Sequence, residues 1–483
     1  MTPKFGTSGL RGLVRDLTPD LIADYTRAFL AITETVSGPT LGPTLGPISG
    51  GGGPLYLGRD LRESSPALAL VVSRTAREAG VDVVDCGAVP TPALALAAQG
   101  HRAIMVTGSH IPADRNGLKF YTAAGEITKS EELAIIEALG QMPNQTPNQT
   151  AHPQKAGTET HIDAATPYGA RYLQAFGPAL EGARIGLWAH SSVGRDLLAQ
   201  TLGALGARVT ELGRSEHFIP VDTEAVDEAT RHQLGLWAAS QGPDAAPFDA
   251  LVSLDGDADR PLMTDQRGRL IPGDILGQIT AASLGADLVV TPISSNSGAD
   301  DLFDTRRTRI GSPYVIAGMA AETGAVVGYE ANGGFLLGFA AQNGRLSALM
   351  TRDAFLPIIA TLAAARTGGG FDLAARVAQE PARFTASDRI EHIPSARAQA
   401  FLGALVSDEL ARVALLEALS LPSGHMIDTT DGLRMTVSGG RVLHLRPSGN
   451  APEFRLYTEA ASPEAAQALL TRARALIAAE LAG

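Results

Sequence analysis

Short apolar strands alternate with helices through the first part of the chain, and this alternation constrains the fold more than any other feature. Residues 55–58 and 81–85 have the composition of strands, and between them Ser64 and Pro66 mark the start of a helix. Residues 102–106 form a further apolar strand. A β–α–β rhythm predicts a largely parallel sheet, whose ligand-binding loops lie at the carboxyl ends of its strands.

The same rhythm continues until the composition changes near the C-terminus. Two further α/β units contain the predicted strands 183–188, 207–212, 248–254, 288–292 and 325–329. Residues 434–437 and 441–445 then have the pattern of a hairpin about Gly439 and Gly440. We therefore predict three similar α/β domains with mainly parallel, mixed sheets and a smaller α+β C-terminal domain. The predicted domain bounds are residues 1–155, 156–258, 259–372 and 373–483.

Composition limits the classes of partner that the chain can have. With 483 residues it is too long for one hydrophobic core and is expected to form several domains. Its net charge of −12 gives no reason to expect nucleic acid as a partner. The apolar run at residues 354–365 is too short to cross a bilayer, and the N-terminal residues do not resemble a secretory signal. We therefore expect a cytoplasmic protein with no membrane partner.

Two segments of low complexity interrupt the alternation. Residues 38–54 are rich in glycine and proline, and residues 143–150 repeat Pro-Asn-Gln-Thr. Neither can bury enough apolar area to offset its ordering entropy, so both are predicted to be mobile surface connections. The first is expected to decorate a loop between a helix and a strand, and the second to be a domain linker.

The loop after the predicted strand 102–106 carries groups suited to phosphoryl chemistry. Ser109 stands on a glycine-flanked turn beside His110, ten residues before Lys119, and is expected to be exposed. A serine hydroxyl is a weak nucleophile, so a covalent role requires a base and a cationic partner for the transferred group. His110 or Lys119 could act as the base. A polar loop that merely contains a serine and a histidine is the alternative interpretation.

Three carboxylates stand at alternate positions directly after the predicted strand 248–254. These are Asp255, Asp257 and Asp259. Uncompensated carboxylates this close repel one another, so a bound cation is a physical reason to assemble them, and oxygen-only ligation suits Mg²⁺. The single cysteine, Cys86, excludes a cysteine-based metal site. A solvated acidic turn is the alternative.

Two other types of loop begin with a similar run of aspartates. An EF-hand counted from Asp255 needs glycine and glutamate where this chain has Arg260 and Gln266, so that interpretation fails. A phosphatase of the haloacid dehalogenase type also places Asp-x-Asp after an apolar strand, as in residues 252–257. That class usually has threonine or valine where Asp259 stands, and it leaves the Ser109 segment unexplained. It stays open as an alternative with Asp255 as the nucleophile.

Three further loops carry groups suited to a phosphorylated sugar. Arg446 and Ser448 follow a predicted strand and can bind phosphate together with backbone N–H groups. Glu330 and Asn332 also follow a strand and offer partners for sugar hydroxyls. Residues 6–12 form a glycine-rich turn that lets the backbone approach a bound group closely.

Five segments thus occur in order along the chain: residues 6–12, 107–119, 255–260, 328–334 and 446–452. Together they resemble the α-D-phosphohexomutase family, which includes phosphomannomutase, phosphoglucomutase and phosphoglucosamine mutase. The resemblance covers essentially the whole chain and implies four domains around a central cleft. It also implies an isomerase that interconverts hexose 1-phosphate and hexose 6-phosphate through a bisphosphorylated sugar, with hexose 1,6-bisphosphate as the activator.

The resemblance assigns a role to each candidate residue. Ser109 matches the phosphoserine of the family and would complete a Mg²⁺ site formed by Asp255, Asp257 and Asp259. Four further residues match catalytic positions of the family: Arg11, His110, Lys119 and Arg260. Six match substrate-binding positions: Glu330, Asn332, Arg446, Ser448, Gly449 and Asn450. The two arginines of the first group would stabilise phosphoryl charge, and its histidine and lysine would act as acid and base. The second group would bind the sugar hydroxyls and the phosphate that is not transferred.

The chain departs from the family pattern mainly in the loops that bind the sugar. Asn332 and Gly334 stand where many bacterial members have serine and histidine, and Pro313 stands where a phosphate-facing lysine is often found. The preferred sugar therefore stays open: we expect a phosphomannomutase, with phosphoglucomutase or phosphoglucosamine mutase as alternatives. A non-catalytic phosphosugar-binding protein is a third possibility. The expected assembly is a monomer or a homodimer.

Overall fold

A computed structural model describes residues 3–6, 9–34, 53–141, 155–240, 246–448 and 452–482. In these residues, four main sheets follow one another along the chain, with helices packed against them. We refer to the parts built around them as the first unit (residues 3–161), the second unit (165–264), the third unit (273–364) and the fourth unit (384–482). The predicted surface connections at 38–54 and 143–150 lie outside the described residues, apart from residues 53 and 54.

The first unit is a mixed sheet flanked by four helices and a short 3-10 helix. Its strands are β1 (Lys4–Gly6), β2 (Gly9–Leu13), β3 (Leu55–Arg59), β4 (Val83–Ala88), β5 (Arg102–Val106), β6 (Arg115–Thr122), β7 (Gly125–Glu126) and β8 (Glu159–His161). Its helices are Val14–Asp16, α1 (Pro19–Glu34), α2 (Ser65–Glu78), α3 (Thr91–Ala97) and α4 (Lys129–Gln141). The strand order is β1-β2-β6-β5-β3-β4-β8, with β7 beside β6. β3 is parallel to β4 and β5, whereas β6 is antiparallel to β5 and β2.

The second and third units repeat this plan with fewer strands. The second contains α5 (Ala165–Phe176), β9 (Arg184–His190), α6 (Arg195–Ala204), β10 (Arg208–Arg214), α7 (Glu228–Ala239), β11 (Ala250–Leu254) and β12 (Pro261–Thr264). The third contains α8 (Gly273–Leu284), β13 (Leu288–Pro292), α9 (Gly298–Leu302), β14 (Asp304–Thr308), α10 (Ser312–Ala320), β15 (Val326–Tyr329), β16 (Phe335–Leu337), β17 (Leu349–Asp353) and α11 (Phe355–Ala364). Their strand orders are β10-β9-β11-β12 and β14-β13-β15-β16-β17.

The fourth unit differs from the others because all its strand pairs are antiparallel. A short hairpin and one helix precede it: β18 (Arg366–Thr367), β19 (Gly370–Phe371) and α12 (Leu373–Val377). The unit itself contains β20 (Phe384–Glu391), α13 (Ser395–Ser407), α14 (Glu409–Ala418), β21 (His425–Asp428), β22 (Leu433–Val437), β23 (Arg441–Pro447), β24 (Glu453–Ala460) and α15 (Pro463–Ala482). Its strand order is β20-β24-β23-β22-β21.

These four units confirm the predicted fold class of three α/β parts and a smaller α+β part. β8 extends the first sheet beyond residue 155, and β12 extends the second beyond residue 258. The domain bounds stay predictions. No helix in the described part of the chain is long and apolar enough to cross a membrane.

Three of the candidate site loops each follow a strand that has a parallel neighbour in its own sheet. Ser109 follows β5, the aspartate cluster begins directly after β11, and Glu330 follows β15. The Ser109 side chain contacts the aspartate loop, because its Oγ donates a hydrogen bond to Asp255 Oδ2 over 2.6 Å. A backbone hydrogen bond of 2.9 Å from the Thr91 amide, at the start of α3, to the Asp257 carbonyl oxygen also joins the first unit to this loop. The carboxyl ends of strands from different units therefore meet, as is usual for ligand sites of α/β folds.

Candidate active site

Ser109 is buried at the point where its loop packs against the aspartate loop. Its Oγ donates a hydrogen bond to Asp255 Oδ2 over 2.6 Å, and His110 Nδ1 lies 3.3 Å from the same Oγ. The backbone of Ser109 has a φ of 52°, which is the left-handed region that L-residues avoid. The sequence prediction of an exposed serine is wrong, because Gly256 of the aspartate loop packs directly on the Ser109 carbonyl oxygen.

The three aspartates are fully buried and share partners from several parts of the chain. Lys119, on β6, places Nζ 2.6 Å from Asp257 Oδ2 and 2.5 Å from Asp259 Oδ2. Asp257 Oδ2 also accepts a hydrogen bond from Thr91 Oγ1. Asp255 Oδ1 accepts the amide N–H groups of the residues at 259 and 260. Because the loop folds back on itself, the three aspartates that alternate in the sequence form one compact cluster.

Burial and charge act against each other on these carboxylates. Burial raises the pKa of Asp255 well above its ordinary value, and the two neighbouring carboxylates add to that effect. Burial also acts to raise the pKa of Asp257 and Asp259, but the cations around them outweigh it and the pKa of each is lowered. For Lys119, burial acts to lower the pKa, and the adjacent carboxylates outweigh it, so its pKa is raised and the ammonium stays charged.

The residues present fit a hard divalent cation. One carboxylate oxygen from each of Asp255, Asp257 and Asp259 lies within 4.8 Å of the others. The buried Oδ1 atoms of Asp257 and Asp259 have no hydrogen-bond partner among the described residues. A buried carboxylate oxygen without a partner is costly, so the cluster has capacity left for a ligand. The donor set consists of oxygen atoms alone, which matches Mg²⁺ chemistry.

Guanidinium groups crowd around His110. Arg260 Nη1 lies 2.9 Å from His110 Nδ1. Burial, Arg260 and Arg11 together lower the pKa of His110 far below its ordinary value, so the imidazole is neutral. Burial, Arg260 and Arg352 lower the pKa of Arg11 to about 10. Buried cations held this close favour an incoming anion such as phosphate, because it offsets their mutual repulsion.

The sugar-loop residues reach the cluster through Arg352, which the sequence analysis did not identify. This buried arginine on β17 donates to Asp259 Oδ2 from Nη2 over 2.8 Å and lies 3.3 Å from Glu330 Oε2. Asn332 instead caps its own loop, because its Oδ1 accepts the Gly334 amide. Nothing local in the sequence marks Arg352, since its partners are 93 and 22 residues away.

The predicted phosphate loop lies in the fourth unit. Arg446 Nη1 is 3.4 Å from Asp431 Oδ2, and the Ser448 amide donates to the Glu453 carbonyl oxygen. Asp431 Oδ2 also accepts the Ile310 amide of the third unit over 3.1 Å. Gly449 and Asn450 lie outside the described residues. The structure thus brings the serine, metal and acid-base candidates together, while the phosphate-loop candidates lie at the contact of the third and fourth units.

Comparison with known families agrees with this arrangement. Three family models of phosphoglucomutase/phosphomannomutase match the sequence: alpha/beta/alpha domain I at residues 2–145, alpha/beta/alpha domain III at 272–384 and the C-terminal domain at 388–476. The chain belongs to the α-D-phosphohexomutase family. The matched ranges contain Ser109, Glu330 and Arg446, whereas the aspartate cluster lies between the first and second of them.

Full-length relatives show the same family membership. A phosphomannomutase of Sinorhizobium fredii is 43% identical over 488 residues, covering 99% of each chain. A phosphomannomutase of Salmonella muenchen is 40% identical over 95% of this chain and 92% of its own. A phosphoglucomutase/phosphomannomutase family protein of Burkholderia thailandensis has a TM-score of 0.72 at 20% identity, covering 97% and 96%. The protein is therefore a phosphohexomutase, an isomerase of carbohydrate metabolism.

Proposed function

We propose that the protein is a phosphomannomutase that interconverts mannose 1-phosphate and mannose 6-phosphate through phosphorylated Ser109 and a bisphosphorylated sugar. The observation that carries the mechanism is the 2.6 Å hydrogen bond from Ser109 Oγ to Asp255 Oδ2, inside a three-aspartate cluster in which two carboxylate oxygens accept no hydrogen bond from the described residues. Mannose is proposed because two relatives at 40% identity or more over nearly the full length are phosphomannomutases. Phosphoglucomutase and phosphoglucosamine mutase activities stay alternatives.

In this proposal, Asp255, Asp257, Asp259 and Ser109 hold Mg²⁺. The ion would neutralise negative charge on the transferred phosphoryl group, which is the main requirement of phosphoryl transfer besides positioning. The side chains around it divide the remaining tasks. Lys119 keeps two of the carboxylates in place through its contacts of 2.6 and 2.5 Å.

The charge states of Lys119 and His110 suggest which of them donates and which accepts a proton. Lys119 is charged and can donate a proton, whereas His110 is neutral and can accept one. A phosphate bound beside Arg11 and Arg260 would offset the cationic charge that lowers the pKa of His110, so substrate binding itself would make this base stronger. A bound phosphate would thus favour proton transfer from the sugar hydroxyl to His110.

Substrate binding would use both ends of the site. Glu330 and Asn332 are proposed to bind sugar hydroxyls, and Arg446, Ser448, Gly449 and Asn450 to bind the phosphate that is not transferred. Glu330 is held by Arg352, so its carboxylate is oriented before a sugar arrives. Hexose 1,6-bisphosphate is the proposed activator, because it can phosphorylate Ser109 and leave a hexose monophosphate. A cytoplasmic location and a monomeric or homodimeric state stay predictions.

A turnover panel tests the proposal. Mannose, glucose and glucosamine 1- and 6-phosphates are assayed with catalytic hexose 1,6-bisphosphate, for the wild type, Ser109→Ala and the exposed control Ser130→Ala. We expect Ser109→Ala to lose roughly a thousandfold or more in isomerisation while it still binds sugar phosphate, and the control to match the wild type. Full mutase activity of Ser109→Ala would contradict the phosphoserine mechanism. Hydrolysis without a bisphosphate, retained in that variant, would instead support the phosphatase with Asp255 as nucleophile.

A further inference from the structure

Arg62 lies fully buried under the Ser109 loop and holds four of its carbonyl groups. Its Nη1 donates to the carbonyl oxygens of Pro112 and Arg115 over 2.8 and 2.9 Å. Its Nη2 donates to those of Ser109 and Ile111 over 2.9 and 2.6 Å. A guanidinium has two N–H groups on each terminal nitrogen, so all four are used on this single loop. None is left to contact a substrate.

Asp60 fixes the other side of the same peptide segment. Its Oδ2 lies 3.2 Å from Arg62 Nε and accepts hydrogen bonds from Thr107 Oγ1 and the Gly108 amide over 2.8 and 3.3 Å. Thr107 Oγ1 accepts the Ser109 amide over 2.8 Å. One buried ion pair therefore binds the C=O of Ser109 directly, through Arg62, and its N–H indirectly, through Thr107 Oγ1 and Asp60. A left-handed non-glycine residue persists only where its surroundings determine it this strongly.

The guanidinium of Arg62 is itself enclosed between two units. On one side, a Cβ on Gly108 would lie 2.6 Å from Arg62 Cζ, so the glycine leaves the space that the guanidinium occupies. On the other side, the ring of Phe218 from the second unit lies over Arg62 Cζ, 3.9 Å from the ring centroid. A Cβ on Gly256 would meet both Phe218 and the Ser109 carbonyl oxygen. The serine loop, the arginine and the aspartate loop are thus packed as one stack.

We propose that Arg62 is a positioning residue for phosphoryl transfer, and that Phe218 clamps its guanidinium so that Ser109 Oγ faces the aspartate cluster. This inference rests on the proposed role of Ser109. In this role Arg62 contacts neither the sugar nor the metal. Its consequence is that loss of Arg62 misplaces the nucleophilic oxygen without removing a substrate contact. The defect therefore belongs in kcat and in the rate of Ser109 phosphorylation rather than in KM.

Arg62→Lys is the first test, with Arg74→Lys on the exposed face of α2 as the matched control. Lysine keeps the charge opposite Asp60, but its three donors on one nitrogen cannot span four carbonyl groups. We expect kcat for mannose 1-phosphate to fall about 100-fold, the loss typical of a misplaced reacting group, with KM within threefold of the control. Single-turnover phosphorylation of Ser109 by hexose 1,6-bisphosphate, followed by mass spectrometry, should slow by the same factor.

Phe218→Leu is the second test, because it leaves every hydrogen bond of Arg62 in place and removes only the ring above it. We expect about a fivefold fall in kcat from the lost cation–π contact, with an unchanged thermal midpoint. A folded Arg62→Lys enzyme with the kcat of Arg74→Lys overturns the proposal, as does a loss confined to KM. If Arg62→Lys does not fold, wild-type kcat in Phe218→Leu overturns it. Failure of the proposed function is seen separately, as mutase activity that survives Ser109→Ala.

Discussion

Lys119 and its two aspartates show how much of this site depends on single charges. The ammonium is 3% exposed and lies between two carboxylates that are 0% and 1% exposed, so each group needs the others to remain ionised. A buried ion pair that loses one partner leaves an uncompensated charge, which is strongly destabilising. The proposed metal site and the stability of the loop are therefore linked through the same residues.

Asp257→Asn tests this link. The amide retains the shape but removes one negative charge. Its oxygen should stay towards the donors Lys119 and Thr91, which places an NH2 group, unable to bind a cation, where Oδ1 stood. We therefore expect Mg²⁺ affinity to fall at least about tenfold, with turnover falling in parallel. Titration calorimetry of Mg²⁺ and activity as a function of Mg²⁺ measure the change. Asp196→Asn, at an exposed position on α6, is the control. An unchanged metal titration in Asp257→Asn would show that the cluster is not the metal site.

At the residue scale, the sequence identified site residues that lie close together in the chain and missed those that only the fold brings together. Ser109 with His110, and the three aspartates, could be identified because each group sits within a few residues after an apolar strand. Arg352 could not, because its value comes from partners in two other loops. Arg62 reads in the sequence as an ordinary charge before a helix. Only the structure shows it turned inward beneath the serine.

At the scale of elements, parallel strands were predicted best. β5 (Arg102–Val106) and β13 (Leu288–Pro292) match the predicted ranges, and the hairpin of β22 and β23 is confirmed with small shifts of its ends. β6 and β12 were not predicted. Both run antiparallel to the strand before them, and all their residues except Arg115 are buried, so neither shows the alternation of a half-buried strand.

Gly117 tests the close pairing of β2 and β6. A Cβ at this position would lie 2.0 Å from the Leu10 carbonyl oxygen, so alanine must separate two strands, one of which carries Arg11. We expect Gly117→Ala to lower the free energy of unfolding by about 2–3 kcal/mol and to reduce activity. Gly235→Ala, inside α7 with open space around its Cβ, should stabilise by about 0.5–1 kcal/mol. Urea midpoints compare the two, and equal midpoints would contradict the argument.

His444 on β23 predicts a pH dependence for the fourth unit. Its ring is 1% exposed, stacks on Tyr457 and lies 2.6 Å from the Asp431 carbonyl oxygen through Nε2. Burial, reinforced by Arg434, lowers its pKa to about 4. An unfolded histidine titrates near pH 6.5, so below that value the unfolded chain takes up a proton that the folded chain does not. Stability contributed at neutral pH is therefore lost as the pH falls from about 6.5 to about 4.

The size of this loss is measurable by substitution. From the two pKa values, the contribution of His444 should fall by about 2 kcal/mol between pH 7.5 and pH 5. His444→Gln keeps a side-chain N–H donor but does not titrate, so its free energy of unfolding should fall less over that interval. Urea unfolding at both pH values gives the difference. Parallel pH profiles for the two proteins would show that this ring is not held neutral. His190 is present in both proteins, so its contribution cancels.

At the scale of the whole molecule, one apolar cluster crosses the first three units beside smaller clusters within each of them, and the fourth unit has a cluster of its own. A single cluster of buried apolar side chains runs from Cys86 to Leu373 in the described residues, whereas that of the fourth unit lies between Ile390 and Leu481. Hydrogen bonds join the third and fourth units, and Arg383, which directly precedes the fourth unit, pairs with Asp301 of the third over 3.1 Å. The buried Glu459 accepts hydrogen bonds from the amide and the hydroxyl of Ser297. Domain contacts of this polar kind permit relative motion.

The fourth unit should therefore open independently of the rest. Glu459→Gln removes the charge of the carboxylate that accepts both Ser297 hydrogen bonds and lies 3.8 Å from both Arg383 and Arg434. We therefore expect faster amide hydrogen exchange in the fourth unit and unchanged exchange in the other three. One molar salt should produce part of the same effect in the wild type, because it screens ion pairs. A bound sugar phosphate that contacts Arg446 should slow this exchange by linking the fourth unit to the site. Glu464→Gln, exposed on α15, is the control. Exchange that changes uniformly across all four units in Glu459→Gln would show that the molecule opens as one body.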